Sequence, residues 1–162
     1  MGIAASGVTP FTAGALEAAR KKKARTILIA CNAASPLARK VDCLISPQVG
    51  PEIITGSTRL KAGTATKLIL NMLTVASMIQ LGKVYQNWMV DLQPKSKKLV
   101  HRGLGLIERL GHVSSREAER YFEASRKKVK VAILMAQKNW DYPTAVRRLK
   151  KANGFLSKAL SS

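Results

Sequence analysis

Residues 26–46, TILIACNAASPLARKVDCLIS, decide the fold. Residues 26–31 form a short, continuous run rich in β-branched and aliphatic side chains, the pattern of a strand covered on both faces. Residues 32–35 read as a turn, 36–40 as a short helix and 42–46 (DCLIS) as a second strand. Strand, helix and strand alternating at such short intervals imply an α/β fold with a parallel sheet. Working outward, residues 2–9 (GIAASGVT) read as the loop that follows a buried strand, although the strand itself is missing from the pattern. Pro10 then suits the first turn of a helix running through Phe11, Ala15, Leu16 and Ala19 to the basic residues 20–23. Two strands alone leave unpaired sheet edges.

Downstream, a loop with Pro47, Gly50, Pro51 and Gly56 leads into a long helix starting at Thr58 or Lys61 and ending at Leu81, before Gly82. Its apolar positions cover more than one face, which suits burial between a sheet and a partner subunit. The run 68–81 is interrupted by Asn71, Thr74, Ser77 and Gln80, and reads as too short and too polar to span a bilayer. Residues 85–92 are expected to be an irregular or extended connector, followed after Pro94 by a helix over 95–110. From Val113 the texture changes: three helices of about ten residues, the first capped by Ser114 or Ser115, predict a small bundle. The expected domains are therefore 1–112 and 113–162.

The 162 residues carry 28 Lys and Arg against 9 Asp and Glu, a net charge of +19. An apolar fraction of 46% argues for a folded chain rather than a disordered one, because disorder needs low hydrophobicity as well as high charge. The charge makes nucleic acid or another anionic surface a partner to consider. Cys31 and Cys43 have no second pair and no neighbouring His, so neither a disulfide framework nor a metal site is indicated, and both are expected to be buried thiols in a reducing compartment. With no secretory signal pattern at the N-terminus, a cytoplasmic location is the simplest expectation.

The densest chemical signal is 50–67, GPEIITGSTRLKAGTATK. It places Glu52, Ser57, Thr58, Arg59 and Lys61 just before a helix, where backbone amides, short hydroxyls and cations together suit a phosphate or a sugar. A loop that merely caps the helix is an equal reading of the same composition. Ser6, Gly7 and Thr9 form a second hydroxyl loop before a helix. In a parallel sheet both loops lie at the carboxyl ends of strands, where ligands bind in doubly wound folds. Neither matches a nucleotide-binding fingerprint, and no cofactor is indicated.

Residues 50–67 resemble the signature of the glucokinase regulatory protein and N-acetylmuramic acid 6-phosphate etherase family: G-P-E, then G-S-T-R-L-K, then small residues before Lys67. GIAASGVTP, CNAASPLA and LGKVYQNWMVDLQP are similar to the bacterial etherases in particular, and GHVSSREAERYFEAS with VKVAILMAQ is similar to their helical C-terminal domain. The resemblance covers essentially the whole chain, but only the second half of an etherase. It implies a partial sugar isomerase (SIS) domain with a flavodoxin-like parallel sheet and flanking helices, followed by a three-helix UBA-like bundle, in a cytoplasmic homodimer. It also implies a lyase that cleaves the D-lactyl ether of N-acetylmuramic acid 6-phosphate in cell-wall recycling, without metal or cofactor.

In the family the catalytic glutamates and a first phosphate loop lie upstream of the segment that GIAASG matches, so this chain is expected to lack them and to be inactive alone. Ser6, Gly7, Thr9, Glu52, Ser57, Thr58, Arg59 and Lys61 are the substrate-binding residues that carry over. Glu52 has two readings, orienting a sugar hydroxyl or pairing with Arg59 or Lys61. Val8 departs from the polar residue expected there, and residues 126–128 (RKK) replace a turn that commonly contains glycine.

Two other functions compete with the etherase: a phosphosugar-binding regulatory module, and nonspecific nucleic-acid binding through the basic surface. His101 and His112 read as solvated or capping side chains, Trp88 and Trp140 as packing anchors, and the basic residues of 144–151 as a solvated face.

Overall fold

The sheet is assembled from three short parallel strands in sequence order. They are β1 (Gly2–Ile3), β2 (Ile27–Ile29) and β3 (Cys43–Ile45), as seen in a computed structural model that describes residues 1–161. The strand missing from the sequence pattern is present after all: Gly2 pairs with Leu28 and Ile3 with Ile29. Two residues are too few for a hydrophobic period to register. A carboxylate pins the other edge. Asp42 Oδ2 accepts the Thr26 N–H and hydroxyl, both at 2.7 Å, while Asp42 N–H donates to Thr26 Oγ1 at 3.1 Å, which sets the register of β3 on β2.

Helix α1 (Pro10–Lys21) begins at Pro10 as expected, but its packing face is Thr12 and Leu16 rather than Phe11, whose side chain is 86% exposed. Leu16 joins Leu28, Ala30 and Leu37 in a small core, with Ala13, Val41 and Leu44 against it. Residues 36–40 reduce to a 3-10 turn over Ala38–Lys40.

Helix α2 (Lys61–Gln80) is one continuous element of 20 residues. Within the single chain Ala62 alone is buried, and Leu68, Met72, Val75 and Ile79 are each at least half exposed, so the sheet does not supply the cover expected for this helix. These four recur at i, i+4, i+7 and i+11, the spacing of a stripe made to be covered. By length and composition α2 could also cross a membrane, which corrects the estimate drawn from 68–81 alone.

The chain divides into two compact units, Met1–Leu73 and Thr74–Ser162. The second opens with a hairpin of β4 (Val84–Tyr85) and β5 (Trp88–Met89), where an irregular or extended connector was expected, its turn helped by Gln86 at φ 52°. Helix α3 (Lys97–Gly111) starts two residues later than expected because the Ser96 hydroxyl accepts the Leu99 N–H, and it ends on His112 in the left-handed conformation. Helix α4 (Ser115–Ala124) has a full capping box, with Ser114 and Glu117 each bonding the other's backbone N–H. Helix α5 (Val129–Lys138) is central: residues 129 and 131–135 are all buried. Around it pack α3, α4, α6 (Tyr142–Lys151) and α7 (Leu156–Leu160). Gly103 on α3 lets Val129 approach closely. Helix α7 was absent from the three-helix expectation. The described residues thus form an α/β structure with a three-stranded parallel sheet and seven α-helices.

Candidate functional site

Because all three strands of the sheet run the same way, the segments after β1, β2 and β3 leave from one edge, the carboxyl end. The first two are locked together. Cys31 N–H donates to the Ala5 carbonyl at 2.9 Å, Asn32 Nδ2 reaches the Ser6 carbonyl at 3.4 Å, and the buried Ser35 hydroxyl donates to the Gly7 carbonyl. Ser35 Oγ also accepts the Leu37 N–H at 3.1 Å. Gly7 sits at φ +69°, and a Cβ there would overlap the Ser35 hydroxyl, so both the conformation and the contact require glycine.

This bracing leaves the side chains of Ser6 and Thr9 exposed on the loop. Thr9 occupies the N-cap position of α1, but its hydroxyl makes no capping bond and only its carbonyl is used, by Ala13 N–H. Two short hydroxyls on a rigid loop before a helix can hydrogen-bond a phosphate or a sugar. Asn32 and Ser35 were not singled out from the sequence. The signal was short polar residues directly after a strand, where Asn32 Oδ1 accepts the Ala34 N–H to form a local turn.

The third loop gives Glu52 partners that neither of its two readings named. Its carboxylate accepts the backbone N–H of Lys61 at 2.9 Å and of Ala62 at 3.0 Å, so it caps α2. The Lys61 ammonium instead reaches the Pro51 carbonyl at 2.8 Å, and among the described residues no ion pair joins Glu52 to Arg59 or Lys61. The backbone bonds from Ala62 and Lys61 hold the Glu52 carboxyl below its usual range. The negative charge at this helix N-terminus is therefore supplied by the protein, which alters the expected use of those amides for a ligand phosphate. Around the cap, Ser57 is half-buried and Thr58, Arg59 and Lys61 are exposed.

The Cys31 thiol, after β2, feels the charge of Glu52 on the third loop. Burial, and then this nearby charge, push the thiol up. Neither cysteine is a buried thiol of the expected kind. Cys31 is half-buried at the end of β2, and Cys43 is exposed because β3 is an edge strand. Ser6, Gly7 and Thr9 are thus brought to Asn32 and Ser35, and Glu52 to the start of α2. Among the described residues, no hydrogen bond or ion pair joins Ser6 or Thr9 to Ser57, Thr58, Arg59 or Lys61.

The carboxylates of residues 1–73 are Glu17, Asp42 and Glu52. Each is engaged: Glu17 with Lys21 at 3.1 Å, Asp42 with Thr26, and Glu52 with the start of α2. All three are held below their usual range by these hydrogen bonds. Such groups are ionised and suit neither a proton donor nor a base poised near neutrality. Among the described residues no three His, Cys, Asp or Glu side chains converge to hold a metal ion.

Comparison with known proteins extends the resemblance carried by residues 50–67. Residues 1–76 match the SIS domain family. Over 160 residues, 99% of the chain, it is 49% identical to the N-acetylmuramic acid 6-phosphate etherase of Exiguobacterium sp. (strain ATCC BAA-1283 / AT1b), covering 54% of that protein. It is 48% identical over 161 residues to the enzyme of that name from Mesorhizobium japonicum, covering 52%. It is also 48% identical over 160 residues to N-acetylmuramic acid 6-phosphate etherase 2 of Vibrio cholerae, again covering 52%. The chain spans about half the length of the curated relatives it matches.

Proposed function

We propose that this chain is the C-terminal half of an N-acetylmuramic acid 6-phosphate etherase, supplying part of the phosphosugar site but not the acid and base of the reaction. The observation that carries this reading is similarity to etherases along 99% of the chain, at 46–49% identity. In that reaction a base removes the proton at C2 of the sugar, an acid protonates the departing lactate oxygen, and water adds to the resulting double bond. The product pair is N-acetylglucosamine 6-phosphate and D-lactate.

Within this division of labour, Ser6 and Thr9 hydrogen-bond the phosphate or sugar, Gly7 sets the loop, and Ser57, Thr58, Arg59 and Lys61 supply hydroxyls and positive charge near it. Glu52 acts indirectly, by fixing the start of α2. The engagement of all three carboxylates in residues 1–73 supports placing the catalytic glutamates in the other half. We take 1–112 as the phosphosugar-binding part and 113–162 as a UBA-like helical appendage of a homodimeric, cytoplasmic lyase. The exposed stripe on α2 supports a protein covering, from a second copy or from the other half.

The test is to assay D-lactate release from N-acetylmuramic acid 6-phosphate by this chain, alone and together with the first half of the Exiguobacterium relative. The expected result is no release alone and release from the pair. Activity of the chain alone overturns the placement of the acid and base, and an inactive pair that forms a stable complex overturns the etherase assignment.

A further inference from the structure

The site described above uses little of the positive charge. Residues 74–162 hold 18 Lys and Arg against 6 Asp and Glu, a net charge of +12, and the residues that carry it are not evenly placed. A cleft of about 290 Å³ lies within this unit, with Lys83, Asp91, Lys127, Lys128 and Lys130 on its walls and Leu149 of α6 among its lining residues. Its one carboxylate is spent internally: Asp91 pairs with Lys83 at 2.6 Å and with Lys130 at 3.1 Å. Lys130 is further held by the carbonyls of Gly82 and Gly154. These two lysines build the cleft.

Lys127 and Lys128 are differently placed. Both are exposed, Lys127 has only a long 3.8 Å contact with exposed Glu123, and Lys128 donates to the Tyr142 hydroxyl at 3.0 Å. Arg126 lies over the same Tyr142 ring at 4.7 Å. Arg126 and Lys127 are both in the left-handed conformation, at φ 57° and 61°, which ordinary side chains adopt against a steric cost. The turn thus presents three consecutive exposed cations, of which Lys127 and Lys128 line the cleft. Leu149 lies in the basic last turn of α6, so Arg148, Lys150 and Lys151 continue the positive charge in sequence beside a lining residue.

A cleft of this size is at the small end for a whole ligand but has room for a phosphate group, and the cations outside it suit further phosphates. A repeating phosphate polymer fits both features, whereas a single sugar phosphate would use only the cleft. We propose that the cleft and the Arg126–Lys128 turn bind the phosphodiester backbone of a nucleic acid. The contacts are to phosphate, so binding is independent of base sequence and falls as salt rises.

The test is fluorescence anisotropy of a labelled single-stranded RNA titrated with the whole chain across a salt series. It compares the unchanged protein, Lys127→Gln/Lys128→Gln, and a control of equal charge change at residues that do not line the cleft, Lys22→Gln/Lys23→Gln, with far-UV circular dichroism showing that each variant is folded. The expected result is a linear fall of log affinity with log salt. For a single strand, loss of two phosphate contacts makes that slope shallower by about 1.4 in the cleft variant, and the control keeps the original slope. Three outcomes overturn the proposal: a flat salt response, an equal loss of slope in both variants, or tighter binding to phosphatidylserine vesicles than to RNA.

Discussion

Glu52 Oε1 accepts the backbone N–H of Ala62 at 3.0 Å, across ten residues of loop. With the matching bond from Lys61, one carboxylate satisfies two of the backbone donors of the first turn of α2 and ties the signature loop to that helix. The strongest motif in the sequence therefore contains its own structural clamp, which leaves the exposed Thr58 and Arg59 side chains to meet an anion.

The first prediction concerns acid. Amides from Ala62 and Lys61 lower the folded-state pKa of Glu52 relative to its unfolded value. The stabilisation is then complete above the ordinary glutamate range and disappears as pH falls through the depressed folded value. Urea midpoints measured across that acidic range should fall less steeply with acid for Glu52→Gln than for the unchanged chain. Parallel curves would remove Glu52 from the clamp.

A second prediction isolates the Gly7 bend. Gly7→Ala places a Cβ against the buried Ser35 side chain and forces alanine to φ +69°. Strain and overpacking together should cost about 2–4 kcal/mol in urea denaturation. Adding Ser35→Gly removes the overlap but not the strain, so the double variant should lose less than the sum of the single losses. Additive losses would mean that the two residues do not meet.

Much of this arrangement was legible in the chain order. The alternation across residues 26–46 yields β2, the 3-10 turn and β3, and Pro10 and Gly82 mark helix ends that the structure keeps. What was hidden depends on partners far apart in sequence. A two-residue β1 has no period of its own and exists through Leu28 and Ile29. Asn32 and Ser35 acquire a role only when the loops after β1 and β2 meet. For Glu52, nearby cations suggested ion pairing, whereas two backbone amides offered the better geometry.

The α2 stripe gives a third prediction. Leu68, Met72, Val75 and Ile79 are exposed on one helix at core-like spacing, so the chain should self-associate as concentration rises. Met72→Glu/Ile79→Glu should shift sedimentation velocity profiles toward monomer without loss of helical circular dichroism. A wild-type chain that stays monomeric through the concentration series would show that the stripe does not drive association.

The fourth prediction tests the charge cluster in the helical unit. Burial pushes the Asp91 carboxyl up, but hydrogen bonds from Lys83 and Lys130 outweigh it and hold the group below its usual range. Lys130 is the more dependent partner, because its side chain is only 12% exposed and keeps just two carbonyls if the carboxylate is lost. Asp91→Asn should therefore cost about 1.5–3 kcal/mol. Replacing both residues removes the stranded charge, so Asp91→Asn/Lys130→Met should be less destabilised than the sum of the two single variants. The stabilisation from Asp91 is present above the ordinary aspartate range and is lost as pH falls through its lower folded value. A urea-denaturation cycle at neutral pH and again in acid reads both effects, and a coupling that does not shrink in acid would show that charge is not what joins Asp91 to Lys130.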